Sequence, residues 1–170
     1  MTQRQQQEIF DRWLARHRGL LFKVVRAHAF TPHDRDDLFQ EIAAQVWHSI
    51  PNFRSESAVT TWLYRVALHC AMAWRRKEKR HREGRQPLGE HEPALLETTR
   101  SQDPRLDWLY EQIAQLDEVD RALTLLLLDG FSHQEMAATL GLSESNVGVK
   151  IHRIKNHLAK KSREEIHHGL

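Results

Sequence analysis

Phe131-Ser132-His133-Gln134-Glu135-Met136-Ala137-Ala138-Thr139-Leu140-Gly141-Leu142-Ser143 is the stretch of this 170-residue chain from which its fold reads most directly. Ser132 and Glu135 stand three apart, the spacing of a capping box, in which a hydroxyl and a carboxylate satisfy the first free N–H groups of a helix. A short helix is predicted from there, with Met136, Ala137 and Leu140 turned inward. Gly141 suits the left-handed turn that ends such a helix, and Ser143 is placed to cap the next one. Helix, tight turn, helix is the expected local structure.

The second of these helices divides by face. At about 100° per residue, Val147, Ile151, Ile154 and Leu158 fall within about 60° of one another and form the buried stripe. Ser145, Val149, His152 and Arg153 point the other way, flanked by Asn146, Lys150 and Lys155. Short polar groups at the centre and cations at the edges are what base reading with phosphate anchoring requires of a helix in a DNA groove.

Working outward, Leu106, Leu109, Ile113 and Leu116 mark another helix, and Asp117 to Asp129 holds the apolar run from Ala122 to Leu128. Residues 105–166 thus form one small helical domain. Upstream, residues 84–104 carry Pro87, Gly89 and Pro93 with little periodicity and read as a linker. Residues 1–83 form a second helical unit. Its first helix, over 5–29, repeats Ile9, Trp13, Leu14, Leu20, Leu21, Val24 and Val25, with Gly19 a candidate local break and Thr31-Pro32 ending the segment. Asp34 to Ser49 follows, with Leu38, Phe39, Ile42, Ala43 and Val46 on one stripe and Pro51 as its stop. A polar loop precedes a long helix from Val59 to about Lys79, expected to bury Trp62, Leu63, Val66, Ala67, Cys70 and Trp74. Strand signals are nearly absent, so the fold class is all-α: two small helical domains joined by a flexible linker.

Charge is segregated along this plan. The net charge is only +2, yet Arg65 to Arg85 holds eight Lys/Arg against two acids, and Lys150 to Arg163 holds six against none. Between them, Glu90 to Glu144 has twelve acids against three bases, net −9. Two basic stretches around an acidic centre point to two places that meet a polyanion. One cysteine, Cys70, excludes an internal disulfide, and the twelve histidines lack cysteine partners at zinc spacing. No apolar run approaches the roughly 18 residues of a membrane span, and the Gln-rich start lacks a signal-peptide core, so a cytoplasmic protein with no membrane insertion is expected.

Asp36-Asp37-Leu38-Phe39-Gln40-Glu41-Ile42, then Pro51-Asn52-Phe53-Arg54-Ser55-Glu56-Ser57, then Thr61-Trp62-Leu63-Tyr64-Arg65-Val66-Ala67 resemble, in order and spacing, region 2 of the extracytoplasmic-function (ECF) sigma factors of bacterial RNA polymerase, members of the sigma-70 family. The segment Ser143 to Lys155 resembles region 4 of the same family. Together the likenesses cover nearly the whole chain apart from the linker and the tails.

The resemblance implies an alternative sigma factor that binds core polymerase, recognises the -10 and -35 promoter elements and directs initiation by binding, without catalytic residues, cofactor or metal. Asp37, Gln40 and Glu41 match the positions that dock on the clamp helices of the beta-prime subunit; at i, i+3 and i+4 they share one helix face. The loop Phe53, Arg54, Ser55, Glu56, Ser57 and Ala58 corresponds to the one that holds a base flipped from the -10 element. His69 stands where the family usually has asparagine, which puts the -10 base preference in question. The basic run containing Arg75 and Arg76 is expected to lie on DNA, and Trp62, Tyr64 and Trp74 are weighed as stacking platforms, with packing favoured for the two tryptophans. In region 4, Ser145, Asn146, Val149, Lys150, His152 and Arg153 would meet the -35 element, and the beta flap would hold the domain. The acidic linker would thread near the RNA exit path, and an anti-sigma factor is an expected partner.

Two rivals were weighed on the residues alone. A free-standing helix-turn-helix regulator explains the C-terminal half and leaves Asp37, Gln40, Glu41 and the 53–58 loop without a role. A nuclease site built from Asp34, Asp36, Asp37, Glu41 and His48 is disfavoured, because neighbouring Asp36 and Asp37 point about 100° apart and no second ligand motif completes a metal shell.

Overall fold

A computed structural model describes residues 1–83 and 103–167, without the side chains of 82, 83 and 167. The linker segment 84–102 and the final residues 168–170 lie outside the described residues. Every helix named below belongs to the described part, which contains no strand. The chain divides into two compact units, Met1–Tyr110 and Glu111–Leu170.

The first unit is built mainly on three long helices. Helix α1 (Gln3–His28) opens on a capping box in which Thr2 Oγ1 accepts from Gln5 N–H and the Gln5 side chain accepts from Thr2 N–H. Its backbone departs from helical geometry at His17 (φ −115°, ψ 16°) and not at Gly19. Nothing stands within 4 Å of where a Gly19 Cβ would be, so no packing demand acts there; glycine permits a break without compelling one. Helix α2 (Pro32–Ser49) begins earlier than Asp34, because Thr31 accepts from Asp34 N–H at 3.0 Å and Pro32 fits the first turn, where no N–H is needed. A 3-10 turn over Ile50–Asn52 contains Pro51 and leads to helix α3 (Val59–Glu83).

Leu21, Val24 and Val25 of α1, Leu38, Ile42 and Val46 of α2, and Leu63, Ala67, Leu68 and Ala71 of α3 are buried together. Each large aliphatic among them contributes about 1.5–3 kcal/mol by leaving water. The deepest line of α3 differs from the one the sequence predicts. Tyr64, Leu68 and Met72 are buried, whereas Trp62, Val66, Cys70 and Trp74 sit half-exposed at its edge. The first unit also includes the start of helix α4 (Pro104–Ala114): Arg26 Nη2 lies 2.6 Å from Asp107 Oδ1, and the Arg26 guanidinium lies 4.1 Å from the Tyr110 ring centroid.

The second unit holds the end of α4 with helices α5 (Glu118–Leu128), α6 (His133–Leu140) and α7 (Glu144–His167). Arg121, buried in α5, donates to the carbonyls of Ile113, Ala114 and Leu116 at 3.3, 2.8 and 2.9 Å and so ties down the end of α4, where the Ile113 carbonyl also accepts from Leu116 N–H. The Ser132/Glu135 capping box is formed, with Ser132 N–H donating to Glu135 Oε2 at 2.7 Å and Glu135 N–H to Ser132 Oγ at 3.2 Å. Gly141 adopts the left-handed conformation (φ 69°), and Leu142 N–H returns to the Ala137 carbonyl, closing the helix end. Asn146 N–H donates to Ser143 Oγ, the cap expected for α7. Val147, Ile151 and Ile154 are buried and Leu158 is half-buried, so α7 packs on the predicted stripe.

Candidate nucleic-acid and partner interfaces

Within the first unit, α2 separates its faces cleanly. Leu38, Ile42 and Val46 enter the core, leaving Asp37, Gln40 and Glu41 exposed on one side. His33 Nε2 lies 3.3 Å from Asp37 Oδ2 on this exposed surface. Glu41 also borders a groove between α2 and α3 that is lined by Gln45, Val66, His69, Cys70 and Trp74. His69 is therefore exposed beside the acidic face of α2. Burial, with the Glu41 carboxylate adding to it, pushes the Cys70 thiol up to about 11, so the thiolate that redox chemistry needs is scarce near neutral pH.

The loop between the 3-10 turn and α3 is held from beneath by aromatic rings. Phe53 packs edge-on against Trp13 at 5.0 Å and against Trp62 at 5.3 Å, and Trp13 and Trp62 meet at 5.3 Å. This triad anchors the loop's first residue, while Arg54, Ser55, Glu56 and Ala58 remain exposed and Ser57 is half-buried. Ser55 takes a left-handed backbone conformation (φ 59°), a geometry that costs a non-glycine residue about 1–2 kcal/mol. Phe53 and Trp62 are thus packing residues that position the polar tip.

Tyr64 is corrected as a stacking platform: it is 1% exposed and has no face to offer a base. Farther along α3, Arg75 lies over the Phe30 ring at 4.9 Å and is half-buried, while Arg76, Lys77, Lys79 and Arg80 are exposed. Of the two named cations, Arg76 is the one presented to solvent.

In the second unit, Ser145, Asn146, Val149 and His152 form the outward face of α7. Val149 is 68% exposed, a large apolar side chain on an otherwise polar surface, and is suited to a thymine methyl group. Asn156 Nδ2 lies 3.0 Å from His152 Nε2 on the same face. Lys150 and Arg153 lie at the side of this face, where both meet an acid of α5. Lys150 Nζ is 2.8 Å from Asp120 Oδ1 and Arg153 Nη2 is 2.5 Å from Asp120 Oδ2. Sequence reading missed Asp120, which is thirty positions upstream of Lys150 and reads as an ordinary acid in the first turn of α5. Its only local signal is its position ahead of the apolar run that buries α5.

Comparison with known proteins finds relatives for both halves of the chain. The Sigma-70 region 2 family matches residues 13–81, and the Sigma-70 region 4 family matches residues 106–158. The RNA polymerase sigma factor YlaC of Bacillus subtilis is 29% identical over 140 residues, covering 76% of this chain and 79% of its own. The ECF RNA polymerase sigma factor SigM of Mycobacterium tuberculosis is 25% identical over 152 residues, covering 89% and 76%. Among solved structures, the sigma factor RpoE of Bartonella quintana, in complex with the anti-sigma factor NepR, shares the fold with a TM-score of 0.69 at 19% identity, over 90% of this chain and 96% of that one. With both regions present in order, the chain belongs to the ECF sigma factors of the sigma-70 family.

Proposed function

We propose that this sigma factor joins core RNA polymerase through α2, reads the -10 element with the loop over 53–58 and reads the -35 element with the outward face of α7. Residues 1–83 serve as region 2, residues 84–104 as the linker and residues 105–166 as region 4. The observation that carries the reading is the shared design of two separate surfaces. In each, an apolar or aromatic layer packs directly behind exposed groups able to recognise a partner.

Asp37, Gln40 and Glu41 offer carboxylate and amide acceptors to the basic clamp helices of the polymerase. Ser55, Glu56 and Ser57 offer acceptors and hydroxyl donors to an extruded base, and His69 lies outside that loop, on the groove beside Glu41. On α7, Asn146 and His152 supply hydrogen bonds to base edges, Val149 supplies apolar contact and Ser145 lets the backbone come close. The protein works in the cytoplasm by binding, and the polymerase performs the chemistry. An anti-sigma factor is its regulatory partner; the sigma factor RpoE of Bartonella quintana is seen in complex with the anti-sigma factor NepR.

The test is binding to core polymerase and to promoter duplexes with the full chain. Reversing charge at Asp37 and Glu41 together should weaken polymerase binding by at least tenfold. Replacing Val149 and His152 by Ala should lower -35 affinity by about tenfold with little change on unrelated DNA, since each base contact carries about 1–3 kcal/mol of discrimination. Full polymerase affinity in the first variant, or unchanged -35 preference in the second, overturns the corresponding assignment.

A further inference from the structure

Asp120 is 5% exposed, and its carboxylate meets two cations of the helix that faces DNA. Its place on α5 is fixed: its N–H donates to the Asp117 cap at 2.8 Å, and its carbonyl accepts from Thr124 Oγ1 at 2.7 Å. Lys150 Nζ and Arg153 Nη2 each take one carboxylate oxygen, and the two side chains are 21% and 63% exposed. Arg153 stands about 40° around the helix from Val149 and Lys150 about 100°, so the pair occupies one edge of the reading face. A phosphate approaching that edge must compete with a desolvated carboxylate already in contact with both cations. Among the described residues, a base approaching Asn146, Val149 or His152 meets no ion-paired carboxylate, and the contact on this face is the uncharged one between Asn156 and His152.

We propose that Asp120 is a specificity-determining residue that masks Lys150 and Arg153 from the DNA backbone and so lowers sequence-independent binding relative to base reading. The proposal rests on the assignment of α7 to the -35 element. The cluster carries two positive charges and one negative, and removing the negative one makes one further charge available to phosphate. Each additional phosphate neutralised steepens the dependence of log affinity on log salt by about 0.9. A purely structural Asp120 predicts the opposite direction, because a loosened α7 binds every duplex less well.

The experiment measures binding of the full chain across a range of salt to two duplexes, one without promoter elements and one with a -35 element chosen by transcription from a promoter library. Asp120→Asn should bind the non-promoter duplex several-fold more tightly, with a salt slope steeper by about one, and its preference for the -35 duplex should fall. Because this change leaves two cations facing a neutral amide, a second variant, Asp120→Leu with Lys150→Leu, keeps the net charge and fills the interface with apolar side chains. Such replacements of buried ion pairs are often neutral or stabilising. It releases Arg153 but removes Lys150, so the charge this edge offers phosphate is unchanged and it should bind the non-promoter duplex no more weakly than the wild type. Equal or weaker binding by Asp120→Asn with native helical content, or weaker binding by the double variant with native helical content, overturns the masking role. Run-off transcription by the wild-type chain with core polymerase reports on the underlying assignment. Transcription without tightening in Asp120→Asn rejects only the mask, whereas no transcription and no -35 preference reject both.

Discussion

The loop after Phe53 and the outward face of α7 both present polar groups on a rigid support, yet they are supported by different forces. Beneath the loop, Trp13, Phe53 and Trp62 meet edge to face, contacts that neither salt nor pH near neutrality alters. Behind α7, an apolar stripe does most of the packing, but its edge is held by the buried carboxylate of Asp120 and its partner α6 begins at a charged cap. In the proposed function the loop holds an extruded base against a cost of a few kcal/mol, which favours a stiff, strained backbone such as that of Ser55. In the same proposal α7 distinguishes a sequence from surrounding DNA, which favours control over how much charge it shows. Stiffness serves the first task and managed charge the second.

The largest way to break this contrast is Trp13→Ala. It removes the centre of the aromatic triad, should destabilise the first unit by about 3–5 kcal/mol in thermal or denaturant unfolding, and should abolish -10 recognition. On the other side, Arg121→Met removes the guanidinium that donates to three carbonyls at the end of α4 and should cost about 2–3 kcal/mol, read as a lower melting temperature of the second unit. Ser55→Val sharpens the view of the loop. A β-branched side chain is poorly tolerated at φ 59° and should cost about 1–2 kcal/mol, with opening of the -10 element impaired beyond the loss of stability. Ser132→Ala is the mildest, at about 1 kcal/mol for a lost helix cap.

That cap also carries a pH signature that the aromatic support lacks. The backbone and side-chain hydrogen bonds with Ser132 hold the Glu135 carboxyl below its ordinary value of 4.5. The capping contribution is therefore complete above the ordinary carboxylate range and drains away as pH falls through the lowered value. Unfolding of the wild type and of Glu135→Gln, a neutral stand-in for the protonated carboxyl, should converge in acid, while Trp13→Ala keeps its deficit.

Much of this architecture was legible because local chemistry decided it. The Ser132/Glu135 pair, Gly141 and Ser143 each act within a few residues, and each forms the predicted cap or turn. The stripe of α7 follows helical periodicity alone. What escaped were features set by packing between elements. Tyr64 reads as an amphipathic aromatic near a basic helix, but the way α3 rolls against α1 and α2 buries it and leaves Cys70 and Trp74 at the edge. Lys150 and Arg153 read as free cations because their partner, Asp120, is distant in sequence. Charge counted along a chain does not show which charges are already matched in space.

The most direct test is run-off transcription by core RNA polymerase on a promoter library, with and without this chain, followed by sequencing of the starts. Transcripts that depend on the chain and share upstream elements at -10 and -35, lost when Val149 and His152 are replaced by Ala, are the predicted result. A correctly folded chain that binds DNA but directs polymerase to no start site would contradict the account.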